Sequence, residues 1–126
     1  MAKILSVDDS KLIRTIVGGV VDVLGYDFLG AGDALEALDV LDRDCEDVVL
    51  IVLDVNMPGM NGFELLERLK SDERYKDIPV MMVTTESERV GIIRAVKAGA
   101  VNYLCKPFAP EELAVRMQES LGCGLD

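Results

Sequence analysis

The chain has 126 residues, with 13 Lys+Arg against 23 Asp+Glu and no histidine, for a formal net charge of −10. A chain of that length makes one domain burying roughly two-thirds of its unfolded surface, and the charge argues against a protein that grips the phosphate backbone of nucleic acid. Without histidine there is no Ser-His-Asp triad, no Cys-His pair and no His-ligated zinc or haem. The three cysteines, Cys45, Cys105 and Cys123, are odd in number and lack CxxC spacing, so neither a disulfide framework nor a thiolate metal site is expected. The first residues, Met1 to Ser6, are too poor in apolar residues for a signal peptide. The longest aliphatic run, Val48 to Leu53, falls far short of the ~20 residues that a membrane helix needs.

Ile4 to Val7 reads as a strand ending at Asp8-Asp9, after which Ser10 caps a helix with the stripe Ile13, Val17, Val20 and Leu24 and a stop at Gly25. Gly18-Gly19 lies inside that helix and weakens it by ~1 kcal/mol per glycine relative to alanine. A short strand over Asp27 to Ala31 follows. Asp33 and Glu36, at capping-box spacing, open a helix carrying Leu35, Leu38 and Leu41. Val48 to Leu53 is continuously apolar, as a central strand covered on both faces should be. A helix from about Asn61 to Ser71 presents Phe63, Leu66 and Leu69. Pro79 to Val83 is the fourth strand, Ser87 to Ala98 a helix closed by Gly99, and Val101 to Cys105 the fifth strand. The last helix starts at Pro110 with Glu111-Glu112 in its first turn and ends at Gly122. Five strand–helix units in succession predict an α/β fold, a doubly wound parallel sheet with helices on both faces. No repeat or linker interrupts them, so residues 1–126 are expected to form a single domain with no tethered output domain.

In such a sheet the site lies beyond the carboxyl ends of the strands. Strand one ends in Asp8-Asp9, strand three in Asp54, strand four in Thr84-Thr85 and strand five in Lys106-Pro107. Asp follows strands as an ordinary turn residue, and Lys106 alone could be plain surface, but suitable groups at four of five strand ends point to one rim. Three carboxylates bring −3 against +1 from Lys106, and two carboxylates 4 Å apart repel by about 4 kcal/mol at an effective dielectric near 20. A hard divalent cation restores the balance, and Mg²⁺ fits a site with few protein ligands better than Ca²⁺. Thr84 and Lys106 suit the oxygens of a phosphoryl group, and an Asp carboxylate in that setting can act as nucleophile to give an aspartyl phosphate.

The segments Val7-Asp8-Asp9-Ser10, Leu53-Asp54 through Asn61-Gly62, Met82-Val83-Thr84-Thr85-Glu86 and Tyr103 through Phe108 resemble, in order and spacing, the receiver domains of two-component response regulators. Within that family the chain is most similar to the free-standing chemotaxis regulators. The resemblance implies a flavodoxin-like sheet of strand order 2-1-3-4-5. It implies that Asp54 accepts a phosphoryl group from a phosphohistidine on a CheA-like histidine kinase, so the partner supplies the missing imidazole. Asp9, Asp54 and the backbone carbonyl of Asn56 would bind Mg²⁺ directly, with Asp8 acting largely through water. Lys106 would pair with Asp54 and then with the phosphoryl group, in a Lys106-Pro107 peptide expected to be cis. Thr84 and Tyr103 would carry the switch, and Asn56 and Glu86 would tune hydrolysis. No matched catalytic position departs from the family pattern.

Phosphorylation would favour one of two pre-existing arrangements. The face read out by a protein target such as a flagellar switch component would comprise Arg89, Ile92, Val96, Tyr103 and Arg116. The competing reading places Ile92 and Val96 in the core stripe of their helix, with Val90, Ile93 and Lys97 defining another face. The resemblance implies a cytoplasmic protein that turns over no external substrate. The alternatives are a receiver fragment of a DNA-binding regulator, a phosphorelay carrier and a haloacid-dehalogenase-like phosphatase. That phosphatase normally has its nucleophile on the first strand with a second acid two residues on, where this chain has Asn56 after Asp54. An FMN-binding flavodoxin is disfavoured because Asp8-Asp9 would repel its phosphate.

Overall fold

Five parallel strands, each followed by a helix, account for nearly all of the apolar runs in the computed structural model, which describes residues 2–85 and 89–122, without the side chains of residues 89 and 90. The strands are β1 (Lys3–Val7), β2 (Asp27–Ala31), β3 (Val48–Asp54), β4 (Val80–Thr84) and β5 (Asn102–Cys105), and the helices are α1 (Lys11–Val23), α2 (Ala34–Asp44), α3 (Gly62–Lys70), α4 (Arg89–Lys97) and α5 (Pro110–Gly122). The sheet order is β2-β1-β3-β4-β5, the doubly wound arrangement expected. Boundaries shift from the sequence reading by a residue or two at most ends, as the start of the fourth strand does, from Pro79 to Val80.

Strand alternation divides the core. Leu5, Ile51, Leu53 and Met82 face one layer with α2, α3 and Ala95 of α4, while Ile4, Leu50, Val52 and Met81 face the other with Val17 and Val21 of α1 and Leu113 and Met117 of α5. β3 is buried on both faces, which explains its unbroken apolar run. A fully buried Leu or Ile contributes ~1.5–3 kcal/mol, so these layers outweigh any single helix cap.

Local signals set the helix ends. Ser10 accepts from the Ile13 N–H and Asp33 from the Glu36 N–H. Asn61 and Glu64 form a complete reciprocal capping box. At α2 the box is open, because Glu36 Oε1 accepts from Gly32 N–H at 2.8 Å rather than from Asp33. The turn after α1 requires Gly25, whose φ is +87°.

One expectation needs correction. Of the Leu35-Leu38-Leu41 set in α2, Leu41 is buried and Leu38 packs against the core, but Leu35 is 69% exposed, and Ala34, Ala37 and Val40 complete the buried face. β2 is an edge strand with little cover, so small residues dock α2 closely there. The glycine pair in α1 also divides. A Cβ on Gly18 would rest 3.6 Å from the Phe28 ring, whereas one on Gly19 would meet nothing within 4 Å. Packing against Phe28 accounts for a small residue at 18, and nothing in the structure explains glycine at 19.

Candidate functional site

Register brings the acids together. Val7 pairs with Leu53 across β1 and β3, so the next residues, Asp8 and Asp54, emerge side by side at the carboxyl rim. Thr84 ends β4 and pairs with Cys105, which delivers Lys106 from the far side. Asp8, Asp9 and Asp54 each offer a carboxylate oxygen within 4.8 Å of the other two. Asp8, Asp54 and Thr84 are buried, and Asp9 is exposed.

A single ammonium serves two of the three carboxylates. Lys106 Nζ lies 3.0 Å from Asp8 Oδ2 and 3.2 Å from Asp54 Oδ1. The Asn56 N–H also approaches Asp54 Oδ1, at 3.4 Å, and the Ser10 N–H donates to Asp8 Oδ1 at 2.9 Å. Asp54 Oδ2 accepts no hydrogen bond among the described residues. Burial and the neighbouring charge of Asp8 raise the Asp54 pKa above the ordinary carboxylate value, and the opposing pull of Lys106 does not cancel them. Burial works against the Lys106 charge as well, but hydrogen bonds and attraction from Asp8 and Asp54 outweigh it and hold the ammonium above its ordinary pKa. Both shifts have one origin, two buried negative charges sharing one positive. The donor set is all oxygen, carries −3 against +1, and can hold a metal ion; its composition and residual charge fit a hard divalent cation.

The backbone around Asp54 is tightly determined. Gly62 packs against its carbonyl so closely that a Cβ there would lie 2.3 Å from Asp54 O and 2.8 Å from Val55 Cα. The Gly62 N–H donates to Val55 O at 2.9 Å, and the Val55 N–H to Val83 O at 2.9 Å. The start of α3 is thereby tied to the strand end carrying the acid. On β4 the Lys106 N–H donates to Thr84 O at 2.7 Å, and the Lys106-Pro107 peptide is cis, as expected. A mainly apolar cleft of about 380 Å³, lined by Ile13, Ile16, Thr85, Lys106, Pro107 and Phe108, opens beside the ammonium. A second cleft, of about 650 Å³ and lined by Ala2, Tyr26, Val49 and Pro79 among others, is at the opposite end of the sheet and contains none of these acids.

The remaining residues separate. Asn56 is exposed, with its Nδ2 3.4 Å from Thr85 Oγ1, while Glu86 lies outside the described residues. Tyr103 is half-buried against the layer holding Leu53 and Met82. Ile92 and Val96 are 38% and 63% exposed, so they form no core stripe. Ile93 and Lys97 are exposed too, leaving Gly91 and Ala95 as the residues that α4 buries among its described side chains. Arg116 pairs with Glu119 at 3.3 Å, and the side chain of Arg89 lies outside the described residues. Sequence reasoning missed the roles of Gly62 and Arg14. Gly62 had a signal, a glycine opening a helix just after a strand-end acid. Arg14, whose Nη1 donates to the Asp8 carbonyl, had only its position four residues after the helix cap.

A doubly wound sheet with an acid triad and one lysine at its carboxyl rim defines a response-regulator type of domain. The family model of the response regulator receiver domain matches residues 4–118, and the chain belongs to that family. Its relatives include a chemotaxis protein CheY homologue of Campylobacter jejuni, 42% identical over 97% of this chain and 94% of that protein. Another is the chemotaxis protein CheY1 of Helicobacter pylori, 44% identical over 95% of this chain and 97% of that one. Among solved structures, CheY4 of Vibrio cholerae superposes with a TM-score of 0.87 at 38% identity, covering 95% of this chain and 98% of that chain.

Proposed function

We propose that the chain is a phosphorylation-operated switch of the chemotaxis type, with Asp54 as its phosphoacceptor. The observation carrying this reading is the Asp54 carboxylate, buried at the rim, with Lys106 and the Asn56 N–H on Oδ1 and the other oxygen without a donor among the described residues. That oxygen attacks phosphorus of a phosphohistidine on a CheA-like kinase. An O–P bond forms, the N–P bond breaks, and its electron pair returns to the imidazole. Lys106 offers charge to the phosphoryl oxygens as they arrive. Thr84, at the end of β4, senses the new group, and Tyr103, on the neighbouring strand β5, couples the change to the α4–β5–α5 face. Asp9, Asp54 and the Asn56 carbonyl would hold Mg²⁺ directly, with Asp8 acting largely through water. When bound, the ion neutralises carboxylate and phosphoryl charge and orders their oxygens.

Asn56 and Glu86 tune hydrolysis of the aspartyl phosphate, the chain assisting only its own phosphorylation and dephosphorylation. The exposed apolar residues Ile92 and Val96, with Arg89, Tyr103 and Arg116, receive a protein target such as a flagellar switch component. The chain works as a single receiver unit in the cytoplasm; no described helix is long and apolar enough to cross a membrane. The test is incubation with acetyl phosphate with and without Mg²⁺, followed by mapping of the modified residue by mass spectrometry. Metal-dependent label on Asp54, lost in Asp54→Asn, is expected. Label that survives that substitution, or forms equally without metal, refutes the reading.

A further inference from the structure

Asp8 is held at three points, one of which the phosphoacceptor chemistry does not use. Its N–H donates to Ala31 O at 3.0 Å, and its carboxylate meets the Ser10 N–H and Lys106. Its carbonyl accepts from Arg14 Nη1, on the first turns of α1. The half-buried Arg14 side chain reaches that carbonyl over two glycines. A Cβ on Gly30 would lie 3.6 Å from Arg14 Cδ, and one on Gly32 3.5 Å from Nη1. The Gly32 N–H is in turn occupied by Glu36 Oε1, which fixes the floor on which the guanidinium rests.

The Asp8 carbonyl and the Asp9 N–H belong to one rigid peptide plane. A donor that fixes the carbonyl therefore fixes the direction in which the chain enters Asp9. Asp9 needs that help, because its side chain is exposed and no hydrogen bond or ion pair holds it among the described residues. Buried Asp54 and Asp8 are set by the sheet register, but the third carboxylate is set by the peptide before it.

We propose that Arg14 is a positioning residue for divalent-ion binding. By clamping the Asp8–Asp9 peptide plane it holds the Asp9 carboxylate at coordination distance from those of Asp8 and Asp54. The proposal rests on reading that acid cluster as the Mg²⁺ site. Groups that orient metal ligands typically change affinity by 10- to 100-fold, and the low end applies to a contact with one peptide plane.

The experiment compares wild type with Arg14→Gln, Arg14→Lys and Lys11→Gln. Lys11 is an exposed cation on the same helix that contacts none of the three acids among the described residues, so it reports charge alone. Mg²⁺ affinity is measured by titration calorimetry at fixed ionic strength, and thermal midpoints are recorded in EDTA and in saturating Mg²⁺. Arg14→Gln is expected to weaken Mg²⁺ binding by about tenfold, and Arg14→Lys, which keeps the charge but lacks the rigid fork, by roughly threefold. Lys11→Gln is expected to stay within about twofold because an exposed charge is screened. A merely structural staple would lower both midpoints equally. A positioning residue also shrinks the rise that saturating Mg²⁺ produces at a fixed concentration. An Arg14→Gln affinity within about twofold of wild type, or an equal loss in Lys11→Gln, overturns the proposal. If Arg14→Gln does not fold, an unweakened Arg14→Lys overturns it instead. Wild type that binds no Mg²⁺ overturns the reading of the cluster and this inference together.

Discussion

Replacing the proposed phosphoacceptor by its neutral isostere, Asp54→Asn, should stabilise the metal-free protein. The buried Asp8 carboxylate offers an oxygen within 4.8 Å of one on Asp54, and at an effective dielectric near 20 it opposes that charge by about 3.5 kcal/mol. Lys106 at 3.2 Å returns about 5 kcal/mol on the same scale. The small net attraction is outweighed by burial, the largest influence on Asp54, which costs several kcal/mol for a carboxylate taken out of water. The raised pKa of Asp54 has the same sign. Because the folded state binds this proton more readily than the unfolded chain, wild-type stability falls as pH rises above the unfolded Asp value. In EDTA at neutral pH, Asp54→Asn should raise the thermal midpoint by roughly 5–10 °C. The gap should narrow as the pH falls towards the unfolded Asp value, because Asp54 in the wild type takes up its proton above that value. Saturating Mg²⁺ should shrink or reverse the gap, since it stabilises the protein with the full ligand set. A metal-free Asp54→Asn protein less stable than wild type at pH 7 would show that Lys106 more than compensates burial of the carboxylate, contrary to the raised pKa of Asp54.

Two further outcomes follow from the same geometry. Lys106→Met removes the ammonium shared by Asp8 and Asp54 and should cost about 3–5 kcal/mol in EDTA, as expected for buried charges left unpaired. Urea unfolding with and without Mg²⁺ checks this, with partial recovery expected in the metal. Gly62→Ala places a methyl 2.3 Å from Asp54 O, an overlap that forces α3 and the strand end apart at a cost of ~1–3 kcal/mol or more. Unfolding and the rate of Asp54 labelling by acetyl phosphate should both deteriorate, and an unchanged labelling rate would show that α3 can move without disturbing the acid.

Much of the molecule is written locally. The buried run of β3, the Ser10 and Asn61 caps and the Gly25 and Gly99 stops depend on side chains and dihedrals within a few residues, so they can be read from neighbours in the chain. Exposure of helix faces is less legible. The Leu35-Leu38-Leu41 pattern is regular, yet Leu35 is solvent-facing because the edge strand β2 offers too little surface to cover it. Which face of α4 turns inward is likewise decided by packing: Gly91 and Ala95 are buried, which leaves Ile92 and Val96 outside.

The sequence by itself determined which groups reach the rim, since acids, a hydroxyl and a lysine directly follow apolar strands and strand direction carries them there. Only the tertiary structure decided how they share charge. Asp8 and Lys106 are 98 residues apart, and Asp54 and Lys106 are 52 apart. Strand register brings them to one ammonium, and burial then makes that sharing insufficient for Asp54. The same holds for the backbone of Gly62 against the Asp54 carbonyl and for Arg14 on the Asp8 carbonyl. Main-chain atoms leave no residue-type signature, so contacts to them become visible only when the fold closes.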